Sequence, residues 1–153
     1  NIEVVHALLQ RSEKAVRDGM DISIISYDIL EHTVEYAGAY QPLYHVRDGR
    51  VTIYRADRFP IGMIDGQAKK SFTNNKVDVR PGDMLYIFTD GFADQFGGEH
   101  EKQFKTIKIR ALLSEIYALP VDEQKRRLHS AIKEWMGEIP QIDDILFIGT
   151  RVP

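Results

Sequence analysis

The sequence predicts an α+β fold in which antiparallel β-sheets carry helices laid against them. Three observations lead there. Segments rich in β-branched residues, divided by turn signals, fill the chain from Met20 to Asp90. The apolar period then changes from two to between three and four, from Phe104 to Trp135. One further strand-like segment, "IDDILFIGTRV", closes the chain. Strands adjacent in sequence favour antiparallel pairing, so the helices are expected to cover a sheet, not to cross over between parallel strands.

In chain order, Ile2, Val5, Leu9 and Val16 recur at helical spacing, with Leu8 beside them, and predict an amphipathic helix over 2–17. Asp18-Gly19 ends it. "MDISIISYDI" and "HTVEYAGAY" read as a hairpin around the polar Glu31-His32. "PLYHVRDGRVTIYRA" reads as a second hairpin, with Asp48-Gly49 supplying the positive φ angles of a tight loop. "FPIGM" is an apolar loop closed by Gly62, and "KSFTNNKVDVR" is the next strand. Pro81-Gly82-Asp83 turns the chain into "MLYIFTD", which is nearly all apolar, as a strand covered on both faces should be. Phe104, Ile107, Leu112 and Ile116 then mark one helix. After Pro120, Leu128, Ala131, Ile132 and Trp135 mark another, stopped at Gly137.

The chain has 153 residues, enough for one domain with a real core. Apolar residues make up 43% and charged residues 28%, as in ordinary globular proteins. A net charge of −3 and a pI near 6.0 argue against a nucleic-acid or membrane-surface partner, which would select a concentrated basic patch. Without cysteine there can be no disulfide, thiolate metal site or cysteine nucleophile, and a reducing, cytoplasmic location fits. No apolar run is long enough to cross a bilayer. The opening "NIEVVHALLQ" has no basic n-region and no initiator Met, so it reads as a cut from something longer, not as a signal peptide.

The chemistry is concentrated in carboxylates. Asp90 ends the "MLYIFTD" strand, and Asp143-Asp144 open the last one. A carboxylate at a buried strand end costs desolvation unless something positive meets it, and hard cations such as Mg²⁺ or Mn²⁺ take such oxygen ligands. Gly91 would let backbone or solvent approach Asp90 closely. Strand alternation would turn one of Asp143 and Asp144 to water. Asp21, at the first position of a strand, reads as a cap, a solvent-facing residue or a further ligand. The bland reading stands beside these: Asp-Gly after a strand is a common turn, and Asp before a strand commonly caps or solvates. A calcium loop is excluded, because counting from Asp90 puts Phe92 at position three and Gln95 at position six, where an oxygen ligand and glycine are needed. Glu99-His100-Glu101 and the basic Lys102, Lys105 and Arg110 read as solvated charges. No phosphate loop or nucleophile elbow occurs.

"DGMDISI", "YAGAYQPLY", "FPIGM", "RPGDMLYIFTDGFADQFGG" and "QIDDILFIGTRV" occur in the order found in SpoIIE-type bacterial protein Ser/Thr phosphatases, a branch of the metal-dependent, 2C-like (PPM) superfamily. The sequence resembles that family from about Asp18 to Val152. The form "TDGFADQFGG" is similar to members placed after sensor or signalling domains in multidomain proteins. The resemblance implies two antiparallel sheets packed face to face and flanked by helices. It implies a dinuclear Mn²⁺ or Mg²⁺ centre, with Asp90 and Asp143 at family metal-ligand positions and Asp144 beside them. It implies attack by a metal-activated water on phosphoserine or phosphothreonine, without a phosphoenzyme. The phosphoprotein would resemble an anti-sigma-factor antagonist.

The sequence departs from the family in one respect. The earlier Gly-Asp-x-x-Gly-His-Gly motif, whose Asp bridges both metals, does not occur. Residues 1–153 therefore resemble the C-terminal two-thirds of such a domain, incomplete at the N-terminus, and the chain alone is expected to be inactive. An apolar sheet face left open would favour a homodimer. Without the bridging Asp, repulsion would raise one carboxyl pKa or keep the pair solvated. The alternative to a phosphatase is a non-catalytic remnant or partner-binding module of the same fold.

Overall fold

A computed structural model describes residues 19–62 and 71–153. The helix expected over 2–17 lies outside the described residues. Strands β1 (Ile22–Asp28) and β2 (Thr33–Ala39) form the first hairpin. Its turn is held by Asp28, whose Oδ1 accepts from the Leu30 and Glu31 amides at 2.9 and 3.0 Å. The second hairpin, β3 (Leu43–Arg47) and β4 (Arg50–Tyr54), closes through Asp48 and Gly49 at φ 49° and 74°. Two consecutive positive φ angles give the loop a twist that matches the strands.

β5 (Asn75–Val77) is shorter than the expected strand and joins β2, giving the sheet order β1-β2-β5. Pro81-Gly82 then form a turn, with Gly82 at φ 92° and the Asp83 amide donating to Arg80 O at 3.1 Å. β6 (Met84–Phe88) follows and lies inside a second sheet, β4-β3-β6-β9, with β9 (Phe147–Arg151) at its edge. Every strand pair is antiparallel.

Between β6 and β9 the chain makes a single helical turn, α1 (Gly91–Asp94), and a small ladder of β7 (Phe96–Gly97) with β8 (Lys102–Gln103). Helices α2 (Thr106–Ile116) and α3 (Val121–Met136) follow. The layers are sheet, sheet, helices. Val34, Tyr36, Leu43, Val77, Leu85 and Val152, drawn from both sheets, pack the two face to face. On the other side of β6, Met84, Tyr86 and Phe88 meet Ile109, Leu113 and Ile116 of α2 and Leu128 and Ile132 of α3. β6 is thus buried on both faces, as its composition predicts.

Two further details differ from expectation. Ile107 is 69% exposed, and the inward face of α2 is carried by Ile109, Leu113 and Ile116. The last strand begins at Phe147, so Asp143 and Asp144 lie in the irregular segment before it and strand alternation does not orient them. No described helix is long and apolar enough to cross a membrane.

Candidate functional site

β6 and β9 are register partners at Phe88 and Phe147, so the residues just beyond them, 89–91 and 143–146, meet at one end of the second sheet. Thr89 makes the junction. Its amide donates to Leu146 O at 3.0 Å, its hydroxyl donates to Asp144 O at 2.8 Å, and the same hydroxyl accepts from the Leu146 amide at 3.0 Å. A side-chain hydroxyl here substitutes for a backbone partner, which delays the start of β9. Gly91 closes the contact. A Cβ on Gly91 would lie 2.5 Å from Asp144 O and 3.4 Å from the Asp143 carbonyl carbon. The glycine serves a close approach between backbones here, since its φ is not positive.

The sequence-predicted Asp90 and Asp143 are therefore on touching segments. Asp90 is exposed at the head of α1 and makes no side-chain capping bond. Asp143 is exposed, and its Oδ1 accepts from the Asp144 amide at 2.7 Å. Asp144 contributes its carbonyl to Thr89. These carboxylates stand in solvent, and Gly91 occupies the buried position beside Asp90. Asp21 precedes β1 and lies near enough to Asp90 to feel its charge. Its carboxyl is pushed above the usual value by partial desolvation first and by the negative charge of Asp90 second. Phe92 is buried behind the site, edge-on to Phe104 and Phe147, whereas Phe96 is 40% exposed. A cleft of about 530 Å³ opens nearby between α3 and 145–149, lined by Phe92, Leu128, Ile132 and Ile145 among others, and the site aspartates do not line it.

Gln95 escaped the sequence reading. It is fully buried, and its side-chain amide reaches Pro140 O at 3.0 Å and accepts from the Ile142 amide at 3.2 Å. An amide set between Phe92 and Phe96 in "GFADQFGG", where an apolar residue would pack as well, was the available signal. Thr89 was the other omission.

Three carboxylates from separate segments fit a hard divalent cation in kind, since all are oxygen donors open to solvent. They do not converge closely enough. Among the described residues no group of three or more His, Cys, Asp or Glu side chains is close enough to hold a metal ion.

A sequence model of the SpoIIE family, Stage II sporulation protein E, matches residues 2–153. The chain belongs to the SpoIIE family. Solved structures agree on the fold of this SpoIIE-family chain. The SiaA-PP2C domain of Pseudomonas aeruginosa is 31% identical with a TM-score of 0.84, over 97% of this chain and 56% of that one. The phosphatase domain of SpoIIE from Bacillus subtilis, presoaked with Mn, is 15% identical with a TM-score of 0.64, over 99% and 64%. The PPM Ser-Thr phosphatase MsPP of Mycobacterium smegmatis, in complex with cacodylate, is 16% identical with a TM-score of 0.59, over 97% and 67%. No curated protein sequence matches this SpoIIE-family chain. It spans 56% of the SiaA-PP2C chain and 64% of the B. subtilis chain. Over the described residues the chain shares with these neighbours an α+β fold of packed antiparallel sheets and helices.

Proposed function

We propose that the protein carrying this chain is a protein Ser/Thr phosphatase that hydrolyses a phosphoserine or phosphothreonine ester on a regulatory protein, using Mn²⁺ or Mg²⁺. The observation that carries this reading is the contact between the Asp90 and Asp143 segments through Thr89 and Gly91, in a SpoIIE-family chain. Asp90 and Asp143 would each supply a carboxylate oxygen, with Asp21 at the margin of the site. A bound divalent cation there would supply a water of lowered pKa and neutralise phosphate charge. This chain's own residues hold the two carboxylates on backbones that cannot drift apart, and leave them open to solvent, where a bulky phosphoprotein can reach.

The test uses the full-length protein with Mn²⁺ and a phosphoserine peptide, beside its Asp90→Asn variant. The variant is expected to lose at least about a hundredfold in activity, since ligand loss removes the metal's charge from the reacting centre. Equal activity in the two, or none in either, overturns the reading.

One observation favours a second reading, a partner-binding module of the same fold: fewer than three metal-capable side chains converge among the described residues. Saturable binding of a phosphoprotein by the full-length protein, without Mn²⁺-dependent turnover, would select that reading.

A further inference from the structure

Asp143 is held from two sides. On its C-terminal side the Thr89 hydroxyl grips Asp144 O and the Leu146 amide. On its N-terminal side the grip comes from Gln95. The Gln95 Oε1 accepts from the Ile142 amide at 3.2 Å, and its Nε2 donates to Pro140 O at 3.0 Å and to Phe96 O at 3.1 Å. The residue is 0% exposed, and every buried polar side-chain atom among the described residues has a partner. Its own backbone is equally fixed. Gln95 O accepts from Trp135 Nε1 at 3.1 Å and from the Phe104 amide at 2.9 Å. Between Asp90 and Gln95 lies only α1, closed by the Asp94 amide donating to Asp90 O at 2.9 Å and anchored by the Lys105 amide on Ala93 O at 2.7 Å. Asp90, one helical turn, the Gln95 amide and the backbone entering Asp143 therefore form a short closed circuit.

We propose that Gln95 is a positioning residue, which sets the separation of the Asp90 and Asp143 carboxylates by holding the backbone at Pro140 and Ile142. It touches neither substrate nor reacting atoms. The proposal rests on the phosphatase reading above for its consequence, metal affinity, but not for its geometry. An amide suits the task because it donates to carbonyls and accepts from an N–H at once, which no carboxylate or hydrocarbon can do in a dry site. Partners that orient metal ligands typically change affinity by 10–100-fold when removed, and about tenfold is expected here.

The experiment compares three forms of the full-length protein: wild type, Gln95→Met, which keeps the volume and removes the amide, and Trp135→Phe. The last removes a hydrogen bond to the Gln95 carbonyl while sparing its side chain, and so reports a merely structural loosening. Two quantities are read, amide hydrogen exchange over 141–144 without metal and Mn²⁺ affinity by titration. Gln95→Met is expected to speed exchange there about tenfold and weaken Mn²⁺ binding about tenfold, with both near wild type in Trp135→Phe. Should Gln95→Met fail to fold, Gln95→Asn, which shortens the reach by one methylene, is read in the same way. Unchanged exchange overturns the clamp. Faster exchange with unchanged Mn²⁺ affinity, or equal effects in Trp135→Phe, overturns its positioning role. A wild type that binds no Mn²⁺ overturns the metal-dependent reading itself, and the exchange result then decides the clamp alone.

Discussion

Gly91→Ala is the most economical perturbation of the site, because it adds one methyl group at the seam between the two acidic segments. The new Cβ would lie 2.5 Å from Asp144 O and 3.1 Å from the Asp144 carbonyl carbon, whereas ordinary contact begins near 3.4 Å. The shortfall is about 0.9 Å, and both parties are backbone, so no side chain can swing aside. Overpacking of this kind costs roughly 1–3 kcal/mol. Alanine in place of glycine in a helical turn returns about 1 kcal/mol, and the φ of Gly91 imposes no strain on alanine. The net loss of about 0–2 kcal/mol leaves the protein folded, with a melting temperature lowered by up to about 8 °C in a domain of this size. The effect on the site is larger than that on stability. Metal–ligand distances tolerate about 0.2 Å, so separating the Asp90 and Asp143 backbones by several tenths of an ångström should cost at least about tenfold in Mn²⁺ affinity. Calorimetric Mn²⁺ titration and phosphopeptide turnover on the full-length protein measure both consequences. A folded Gly91→Ala protein within about twofold of wild type in both would refute the reasoning.

Thr89→Val keeps the side-chain shape and removes the hydroxyl that serves Asp144 O and the Leu146 amide. It should cost about 1–2 kcal/mol of stability in denaturant unfolding and weaken Mn²⁺ binding in the same direction as Gly91→Ala. Far from the site, Asp83 is 4% exposed and accepts from Arg47, the Arg80 amide and His45. Burial acts to raise its pKa, but hydrogen bonds from Arg47, the Arg80 amide and His45 outweigh it and hold the carboxyl below its ordinary value. Because the folded pKa is the lower one, this stabilisation is full above the unfolded pKa, near 4, and is lost as pH falls through the folded value. Asp83→Ala should therefore cost about 3–5 kcal/mol at pH 7, and the gap to wild type should narrow below about pH 4 in acid unfolding.

Much of the fold was legible because local rules and tertiary demands coincide. Asp48-Gly49 can only close a two-residue loop cheaply, and "MLYIF" has no polar face to offer water, so the second hairpin and the central strand follow from the residues alone. The helices follow from periodicity, although Ile107 shows that one apolar residue on the pattern can face solvent. The last strand starts later than its sequence suggests for a specific reason. Ile145-Leu146 extend the apolar run of the strand towards its start, but the Thr89 hydroxyl takes the backbone groups of Asp144 and Leu146 that a ladder would use. No property of either segment alone signals that capture.

The sequence by itself determined which acids are candidates and the α+β order, since these depend on residue type and spacing. Only the tertiary structure decided that the Asp90 and Asp143 segments touch, that Asp21 feels the charge of Asp90, and that Gln95 and Thr89 hold the junction. The reason is that these contacts join residues far apart in the chain, Thr89 to Asp144 and Gln95 to Ile142, and their partners are backbone groups. Every residue carries such groups, so no sequence pattern marks which ones will be used.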